Sequence, residues 1–247
     1  MLDSNIPMQN STGLNILITG GTDGLGLKLV ESYAKKGANI ITTGREAENN
    51  ARPKLPASVT YIQADQTNPR AAAEIIKATF ETLNWTKCDL AILNAGAGYV
   101  YEPLSEDINK LKETLAVNLY SPIQISLAIA PAILLAGGQL TFIGSVAHKG
   151  AEKFASYSAA KAGQHGFIRA LSEEWRGRAI AQIIHPGAMM TNMHTKADFN
   201  VDKIRFLFTP LNLAARAVER QISKGITPVT VGFGSRIWGS FTSWRNN

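Results

Sequence analysis

The glycine-rich stretch after the first apolar run most constrains the fold of this 247-residue chain. Residues 14–19 have the composition of a buried strand, residues 20–26 read GGTDGLG, and a helical pattern of apolar residues follows. A glycine-rich turn between a strand and a helix is typical of a dinucleotide site. Gly20 permits the tight turn, Gly24 leaves room for a pyrophosphate, and Gly26 lets the helix lie close to the sheet. The alternative is a plain glycine-rich turn.

Strand and helix patterns alternate along the rest of the chain. Strand–helix units repeated in this way predict an α/β fold, a Rossmann-type doubly wound parallel sheet of about seven strands with helices on both faces. We also expect a mobile N-terminal leader over residues 1–13 and a single domain over residues 14–247. The predicted strands cover residues 14–19, 39–43, 59–64, 90–93, 139–145, 180–184 and 228–232.

Charge and cysteine usage exclude several classes of protein. The net charge is +6, but the Lys and Arg residues are scattered, so we expect an anionic cofactor and no nucleic-acid partner. The single cysteine, Cys88, excludes an internal disulfide and a cysteine-based metal cluster, and no metal site is predicted. The chain shows no signal-peptide pattern and no run approaching about 18 apolar residues, so we predict a cytoplasmic protein without a membrane span.

Two charged residues that follow predicted strands bear on the choice of cofactor. The second strand ends on Gly44-Arg45, where an NAD site would place Asp or Glu against the ribose 2′-hydroxyl. A guanidinium there can pair with a 2′-phosphate, so we favour NADP(H) and keep NAD(H) as the alternative. Otherwise Arg45 is a solvated loop residue paired with Glu46 or Glu48. Asp65 follows the third strand and either accepts from the adenine amino group or caps the next helix.

Tyr157 and Lys161 lie four residues apart in a predicted helix. This spacing puts both side chains on one helix face, where an ammonium favours the phenolate and lowers the pKa of the phenol. A tyrosine with a lowered pKa can donate or accept a proton near neutral pH. The alternative is an ordinary helix with an exposed lysine and a buried tyrosine.

Further candidate residues follow the carboxyl ends of predicted strands, the edge where parallel sheets bind ligands. Asn94-Ala95-Gly96 follows the fourth strand, Ser145 ends the fifth, and Pro186-Gly187 follows the sixth. We therefore expect these segments to meet the glycine turn in space. Asn118 is polar within a long apolar helical pattern, and it is either a satisfied core amide or the holder of a water path towards Lys161.

Together these motifs resemble the single-domain short-chain dehydrogenase/reductase family over about residues 14–192. The resemblance implies a nicotinamide cofactor and an Asn–Ser–Tyr–Lys catalytic set. The motifs that carry it are Thr19-Gly20-x-x-x-Gly24-x-Gly26, Asn94-Ala95-Gly96, Asn118, Ser145, Tyr157-x-x-x-Lys161 and Pro186-Gly187. The complete set of predicted cofactor-binding residues is Gly20, Thr22, Asp23, Gly24, Leu25, Gly26, Arg45, Asp65, Asn94, Ala95, Gly96, Tyr157, Lys161, Pro186, Gly187 and Thr191.

The same resemblance implies a role for each residue of the catalytic set. Tyr157 is the proton donor in carbonyl reduction, and Ser145 hydrogen-bonds the substrate oxygen. Lys161 binds the nicotinamide ribose and lowers the Tyr157 pKa, while Asn118 holds a proton-relay water. Thr191 resembles the family residue that bonds the nicotinamide carboxamide.

Three features depart from the family pattern. Ser145 and Tyr157 are 12 residues apart, one fewer than in many relatives, which indicates a tighter intervening loop. Asp23 stands where many NADP-preferring relatives carry a basic residue. The tail after residue 229 lacks the usual aspartate-diglycine ending. It continues to three aromatic residues at three-residue spacing, Trp238, Phe241 and Trp244. This spacing would align them on one helix face, which would pack against the domain, a second subunit or a membrane surface.

The function predicted from these observations is hydride transfer between NADP(H) and a carbonyl or alcohol substrate. Met and Phe side chains over about residues 189–210, the expected substrate-covering segment, favour a hydrophobic ketone. The partners we expect are this small molecule and further copies of the chain in a homodimer or homotetramer. His148 and His194 are interpreted as incidental or pocket-lining residues. The alternatives are an NAD-dependent alcohol dehydrogenase and a non-catalytic cofactor-binding regulator or scaffold.

Overall fold

The computed structural model describes residues 11–99, 105–187, 189 and 209–231, and its centre is a parallel β-sheet. Six strands of four to seven residues form the body of the sheet, and a three-residue strand, β7, lies at one edge. The parallel sheet is confirmed, and the expected count of about seven is reached only through this short edge strand. The strands are β1 (Asn15–Thr19), β2 (Asn39–Gly44), β3 (Val59–Gln63), β4 (Leu90–Leu93), β5 (Gln139–Ile143), β6 (Ile180–Pro186) and β7 (Val229–Val231).

The spatial order of the strands is β3-β2-β1-β4-β5-β6-β7. Strands β2 and β3 lie on one side of β1, in chain order. The chain then crosses over β1, and β4 to β7 lie on its other side, also in chain order. The strand order therefore reverses between β1 and β4, and the connections at their carboxyl ends diverge to leave a crevice. Any ligand of this sheet is expected in that crevice.

Helices cover both faces of the sheet, as predicted. Successive strand residues point to opposite faces, so Leu17 belongs to one buried cluster and its neighbours Ile16 and Ile18 belong to the other. Helices α3, α5 and α6 pack on the Leu17 face, and α1 and α7 pack on the opposite face. The helices are α1 (Gly24–Lys35), α2 (Glu48–Ala51), α3 (Pro69–Thr82), α4 (Ile108–Leu115), α5 (Ser121–Ala136), α6 (Ala155–Glu174) and α7 (Leu211–Ile222), with a π-helical segment over Ala116–Tyr120 and 3-10 turns over Arg52–Lys54 and Val146–Lys149.

The last three residues of the expected leader pack against the end of α1. Ser11 is buried and its N–H donates to the Lys36 carbonyl at 3.1 Å, and the Gly13 N–H donates to the Gly37 carbonyl at 3.1 Å. Residues 1–10 lie outside the described residues. The described chain thus contacts the domain before the first strand begins.

Within the described ranges, one helical stretch is long and apolar enough by composition to cross a membrane. It covers Ile108–Ala136, which is 29 residues with a mean hydropathy of 1.7. Its second half, α5, buries Ile125, Ile129 and Ile133 against the sheet and α3. The buried isoleucines of this stretch therefore belong to the protein core.

Candidate active site

A cavity of about 340 Å³ opens at the carboxyl ends of β1, β2, β4, β5 and β6. It lies at the strand-order reversal and brings together most of the residues predicted from the sequence. The predicted site residues that line it are Gly20, Thr22, Asp23, Gly24, Leu25, Arg45, Asn94, Ala95, Gly96, Ser145, Tyr157, Lys161, Pro186 and Gly187. Gly26, Asp65 and Asn118 do not line it, and Thr191 lies outside the described residues.

The glycine turn needs its glycines for close approach as well as for conformation. Gly20 has a φ of +67°, and an added Cβ would lie 2.9 Å from the Cα of Ala95. A Cβ at Gly26 would lie 2.2 Å from the Gly20 carbonyl oxygen, so α1 could not start where it does with any larger residue. Asn94 braces the same turn from β4, since its side-chain N–H groups donate to the carbonyls of Thr19 at 3.0 Å and Gly20 at 3.2 Å.

The residues of this turn fit the pyrophosphate of a dinucleotide. Gly20 and Gly24 expose main chain to the cavity, and Gly24 and Leu25 form the first turn of α1. The N–H groups of a first helical turn and the positive end of the helix dipole favour a negatively charged ligand. Asp23 is the N-cap residue of α1, and its carboxylate accepts the Gly24 N–H at 2.7 Å.

Arg45 lines the cavity beside an acidic residue that the sequence did not indicate. Its guanidinium lies 3.6 Å from the carboxylate of Glu113 on α4, whereas Glu46 pairs with Lys54 at 2.6 Å. The Glu113 carboxylate also accepts the Tyr99 hydroxyl at 2.5 Å. Because the Arg45 side chain is 56% exposed, its ion pair with Glu113 is weak and leaves the guanidinium available to a phosphate.

Asp65 does not line the cavity, and its expected adenine contact stays a prediction. Asp65 is exposed and its carboxylate accepts the Thr67 N–H at 2.9 Å, a local turn contact. The helix cap proposed as its other role belongs to Asn68, whose side chain accepts the Ala71 N–H. The buried Gln66 lines the cavity at this position instead.

Ser145 and Tyr157 both line the cavity. Ser145 follows β5 and caps the next turn through the Ala147 N–H at 3.2 Å, while Tyr157 lies in the first turn of α6. Burial raises the pKa of Tyr157 from 10.0 to about 12, and a hydrogen bond with the Ser145 side chain opposes that rise. The expected lowering of the Tyr157 pKa is therefore wrong for the cofactor-free site.

Lys161 explains why the tyrosine pKa is not lowered. Its ammonium is 5.5 Å from the centroid of the Tyr157 ring and donates to the Ile143 carbonyl at 2.9 Å. Burial lowers the Lys161 pKa from 10.5 to about 7. The lysine has therefore lost most of its charge before the pH at which a phenol titrates, so it offers little attraction to a phenolate.

Asn118 and Gln164 connect Lys161 to the π-helical segment. Asn118 is fully buried, and its side-chain amide donates to the carbonyls of Ala97 at 2.5 Å and Thr114 at 2.8 Å. Its own backbone carbonyl accepts a short hydrogen bond from the side-chain N–H of Gln164. The Gln164 carbonyl oxygen accepts from the Lys161 ammonium at 3.3 Å. Gln164 thus bridges the two predicted residues directly.

Gln164 is the main site residue that the sequence interpretation missed. It lies three residues after Lys161, so it shares a helix face with the lysine, and it is 1% exposed. A polar side chain on the buried face of a predicted helix was the signal that could have identified it. π-helical segments such as the one carrying Asn118 are frequent at functional sites.

Comparison with known proteins assigns the family. A family model described as short chain dehydrogenase matches residues 14–201. The chain belongs to the short-chain dehydrogenase family. This short-chain dehydrogenase is 30% identical over 187 residues to a galactitol 2-dehydrogenase (L-tagatose-forming) of Cereibacter sphaeroides, an alignment that covers 72% of each chain.

Solved structures share the fold of this short-chain dehydrogenase. A short chain dehydrogenase from Burkholderia cenocepacia in complex with NADP superposes with a TM-score of 0.78 at 22% identity, covering 91% of this chain and 98% of the other. A 3-ketoacyl-(acyl-carrier-protein) reductase from Brucella melitensis complexed with NADH gives 0.78 at 20% identity, with the same coverage. The chain is accordingly an oxidoreductase of the short-chain dehydrogenase family, and these two structural neighbours hold NADP and NADH, respectively.

Proposed function

We propose that this chain reduces a hydrophobic carbonyl compound with NADPH. The observation that carries the proposal is the shared cavity lining: Ser145, Tyr157 and Lys161 line the same cavity as the glycine turn and Arg45. That arrangement puts two hydroxyl groups beside the place where a cofactor held by the turn would end.

A protonated Tyr157 fits the role of proton donor in carbonyl reduction. Bound NADPH supplies a hydride to the carbonyl carbon. With its pKa at about 12, Tyr157 is protonated at neutral pH and can donate that proton to the developing alkoxide. Ser145 can donate a hydrogen bond to the same oxygen, so both hydroxyls stabilise the charge that builds in the transition state.

Lys161 is proposed to hold the cofactor ribose. An ammonium has three N–H donors. Two of them are directed to the Ile143 carbonyl and to the side chain of Gln164, which fixes the position of Nζ. The third donor is then available for a ribose hydroxyl. In this arrangement the Gln164 amide lies between Lys161 and the Asn118 carbonyl. The family resemblance implied a relay water held by Asn118 at this place.

Arg45 is proposed to select NADPH by pairing with the 2′-phosphate. The support is its position in the cavity lining directly after β2 and the weakness of its pair with Glu113. Two observations favour NADH instead: Glu113 offsets part of the Arg45 charge, and Asp23 brings a second carboxylate to this end of the cavity. Comparing NADPH with NADH affinity in wild type and Arg45→Ala separates the two, because only NADPH binding should weaken in the variant.

The substrate end of the cavity is apolar in the described residues. Val146, Ala147, Ala151, Phe154 and Met189 line it near Tyr157. Such a lining favours a hydrophobic substrate, with Ser145 and Tyr157 supplying the polar contacts. The rest of the expected covering segment, residues 190–208, lies outside the described residues.

Loss of NADPH absorbance with a panel of aldehydes and ketones tests the proposal. Tyr157→Phe should lose at least about a hundredfold in turnover while still binding NADPH. Tyr120→Phe, at a tyrosine that is 56% exposed, is the matched control and should keep wild-type turnover. Equal turnover in Tyr157→Phe and wild type would contradict the catalytic assignment, and cofactor binding without turnover on any substrate would favour the regulatory alternative.

A cytoplasmic location and a homodimer or homotetramer stay predictions from the sequence. A membrane-surface role for the aromatic tail also stays a prediction, since residues 232–247 lie outside the described residues.

A further inference from the structure

Three of the four histidines of the chain converge directly behind Ser145. His148 comes from the 3-10 turn after β5, His165 from α6 and His185 from β6, and one nitrogen of each ring lies within 4.8 Å of the others. His148 and His165 are partly exposed, while His185 is buried. From this geometry we propose that His148, His165 and His185 form a site for a divalent transition metal of the zinc type.

His148 presents a nitrogen suited to a metal. Its Nδ1 lies 2.7 Å from the Ser145 carbonyl oxygen. A carbonyl oxygen only accepts, so Nδ1 must carry the proton and Nε2 keeps its lone pair. Metal-binding histidines typically have this arrangement, with the second ring nitrogen donating to a carbonyl that fixes the tautomer.

His165 and His185 face each other through two nitrogens. His165 Nδ1 and His185 Nε2 are 3.0 Å apart and share one proton. Two ligands of a tetrahedral zinc ion with Zn–N bonds of ~2.0–2.1 Å are separated by about 3.3 Å, so this pair is close to the spacing that a metal requires. Burial lowers the pKa of His185 to about 3, and the neighbouring rings add to that effect.

When a metal binds, the proton between the His165 and His185 rings can be replaced by one on His185 Nδ1. His185 Nδ1 lies 3.2 Å from the Ser145 nitrogen and 3.1 Å from the Ser145 carbonyl oxygen. In the metal-free tautomer Nδ1 accepts the Ser145 N–H and Nε2 carries the proton. In the other tautomer Nδ1–H donates to the Ser145 carbonyl and Nε2 is free for the metal. Metal binding thus changes the hydrogen bonding of the Ser145 peptide without net proton release.

Ring rotation is the conformational change that binding requires. The His148 and His185 rings are stacked at 3.8 Å, and the His148 and His165 rings are parallel within 5° at 5.1 Å. Parallel rings direct their lone pairs side by side, so His148 and His165 must turn about their side-chain torsions to converge on one ion, and the Nδ1 contact of His148 with the Ser145 carbonyl must readjust as its ring turns. Their partial exposure gives them room to do so, whereas β6 holds His185 in place. A water molecule would complete a three-histidine tetrahedral site.

Metal titration of tag-free, chelator-treated full-length protein tests this site. Wild type should bind one equivalent of Zn²⁺ by calorimetry, and its Co²⁺ form should show the intense visible bands of tetrahedral coordination. His165→Gln should weaken Zn²⁺ binding by more than about a hundredfold, beyond the 10–100-fold effect of losing an outer-sphere partner. His194→Gln, which changes the fourth histidine, is the matched control and should bind as wild type does.

The site also predicts a stability effect that does not depend on activity. Zn²⁺ should raise the unfolding temperature of wild type and His194→Gln, because a ligand of the folded state stabilises it. It should leave that of His165→Gln unchanged; His148→Gln, at a partly exposed ring, serves as a second variant if the first does not fold. Equal Zn²⁺ binding by His165→Gln and wild type, octahedral Co²⁺ spectra, or no stoichiometric binding would overturn the proposal.

Discussion

The buried ammonium of Lys161 makes the stability of the cofactor-free protein depend on pH. Lys161 is 2% exposed, and burial lowers its pKa from 10.5 to about 7. Between these two pH values the folded chain has released a proton that the unfolded chain still holds. The free energy of unfolding therefore increases with pH in this window, and below pH 7 the full destabilisation by the buried charge is present.

The magnitude follows from the size of the shift. One group that is charged only in the unfolded state contributes about 1.4 kcal/mol per pH unit, and the whole shift corresponds to about 5 kcal/mol. Lys161→Met removes the titrating group while keeping an unbranched side chain of similar length. Between about pH 7.5 and about pH 9.5, wild type should therefore gain about 2–3 kcal/mol of unfolding free energy relative to the variant.

Urea denaturation of both proteins without cofactor, at about pH 7.5 and about pH 9.5, measures this difference. Lys77→Met removes a lysine that is exposed on α3, and its difference from wild type should not follow this slope. A Lys161→Met difference that is independent of pH would refute the reasoning. It would mean that the Ile143 carbonyl and Gln164 compensate the ammonium for its lost hydration.

Three further predictions follow from single contacts. Gln164→Leu should reduce the free energy of unfolding by about 2–4 kcal/mol, since it leaves the Lys161 ammonium with only the Ile143 carbonyl and removes the side-chain donor to the buried Asn118 carbonyl; urea denaturation measures it, and a loss below about 0.5 kcal/mol would contradict the bridge. Gly26→Ala should abolish tight cofactor binding, because the added Cβ would lie 2.2 Å from a carbonyl oxygen of the turn; calorimetry with NADPH and NADH tests this, and wild-type affinity would show that the turn can widen. Glu113→Gln should increase the affinity for NADPH relative to NADH by freeing Arg45; an unchanged ratio would exclude this carboxylate from cofactor selection.

The positions of several site residues could be predicted because the prediction required only the residues at which the strands end. In a parallel sheet all carboxyl ends lie at one edge, so Asn94, Ser145 and Pro186 had to approach the glycine turn whatever the details of the helices. Asp65 shows the limit of that argument. It also follows a strand, but it does not line the cavity, and its carboxylate accepts the Thr67 N–H in a local turn.

The electrostatics of the site could not be predicted from spacing. The four-residue separation of Tyr157 and Lys161 correctly indicated a shared helix face. The sign of the tyrosine pKa shift, however, depends on how deeply both groups are buried, and burial is a property of the packed helices. The contact between Arg45, which follows β2, and Glu113 on α4 likewise joins residues that are 68 positions apart in the chain. No local sequence pattern relates two residues at that separation.

The amino-acid sequence alone determined the alternation of strands and helices, the glycine turn and the family, because these depend on local periodicity and on motifs in order along the chain. Tertiary structure decided which polar groups share a site. Gln164 reaches the Asn118 carbonyl, and His148 and His165 reach His185, only because α6 packs beside β6 and the π-helical segment. Residues brought together by packing have no fixed spacing in sequence, and for that reason their chemistry appears only when the chain is folded.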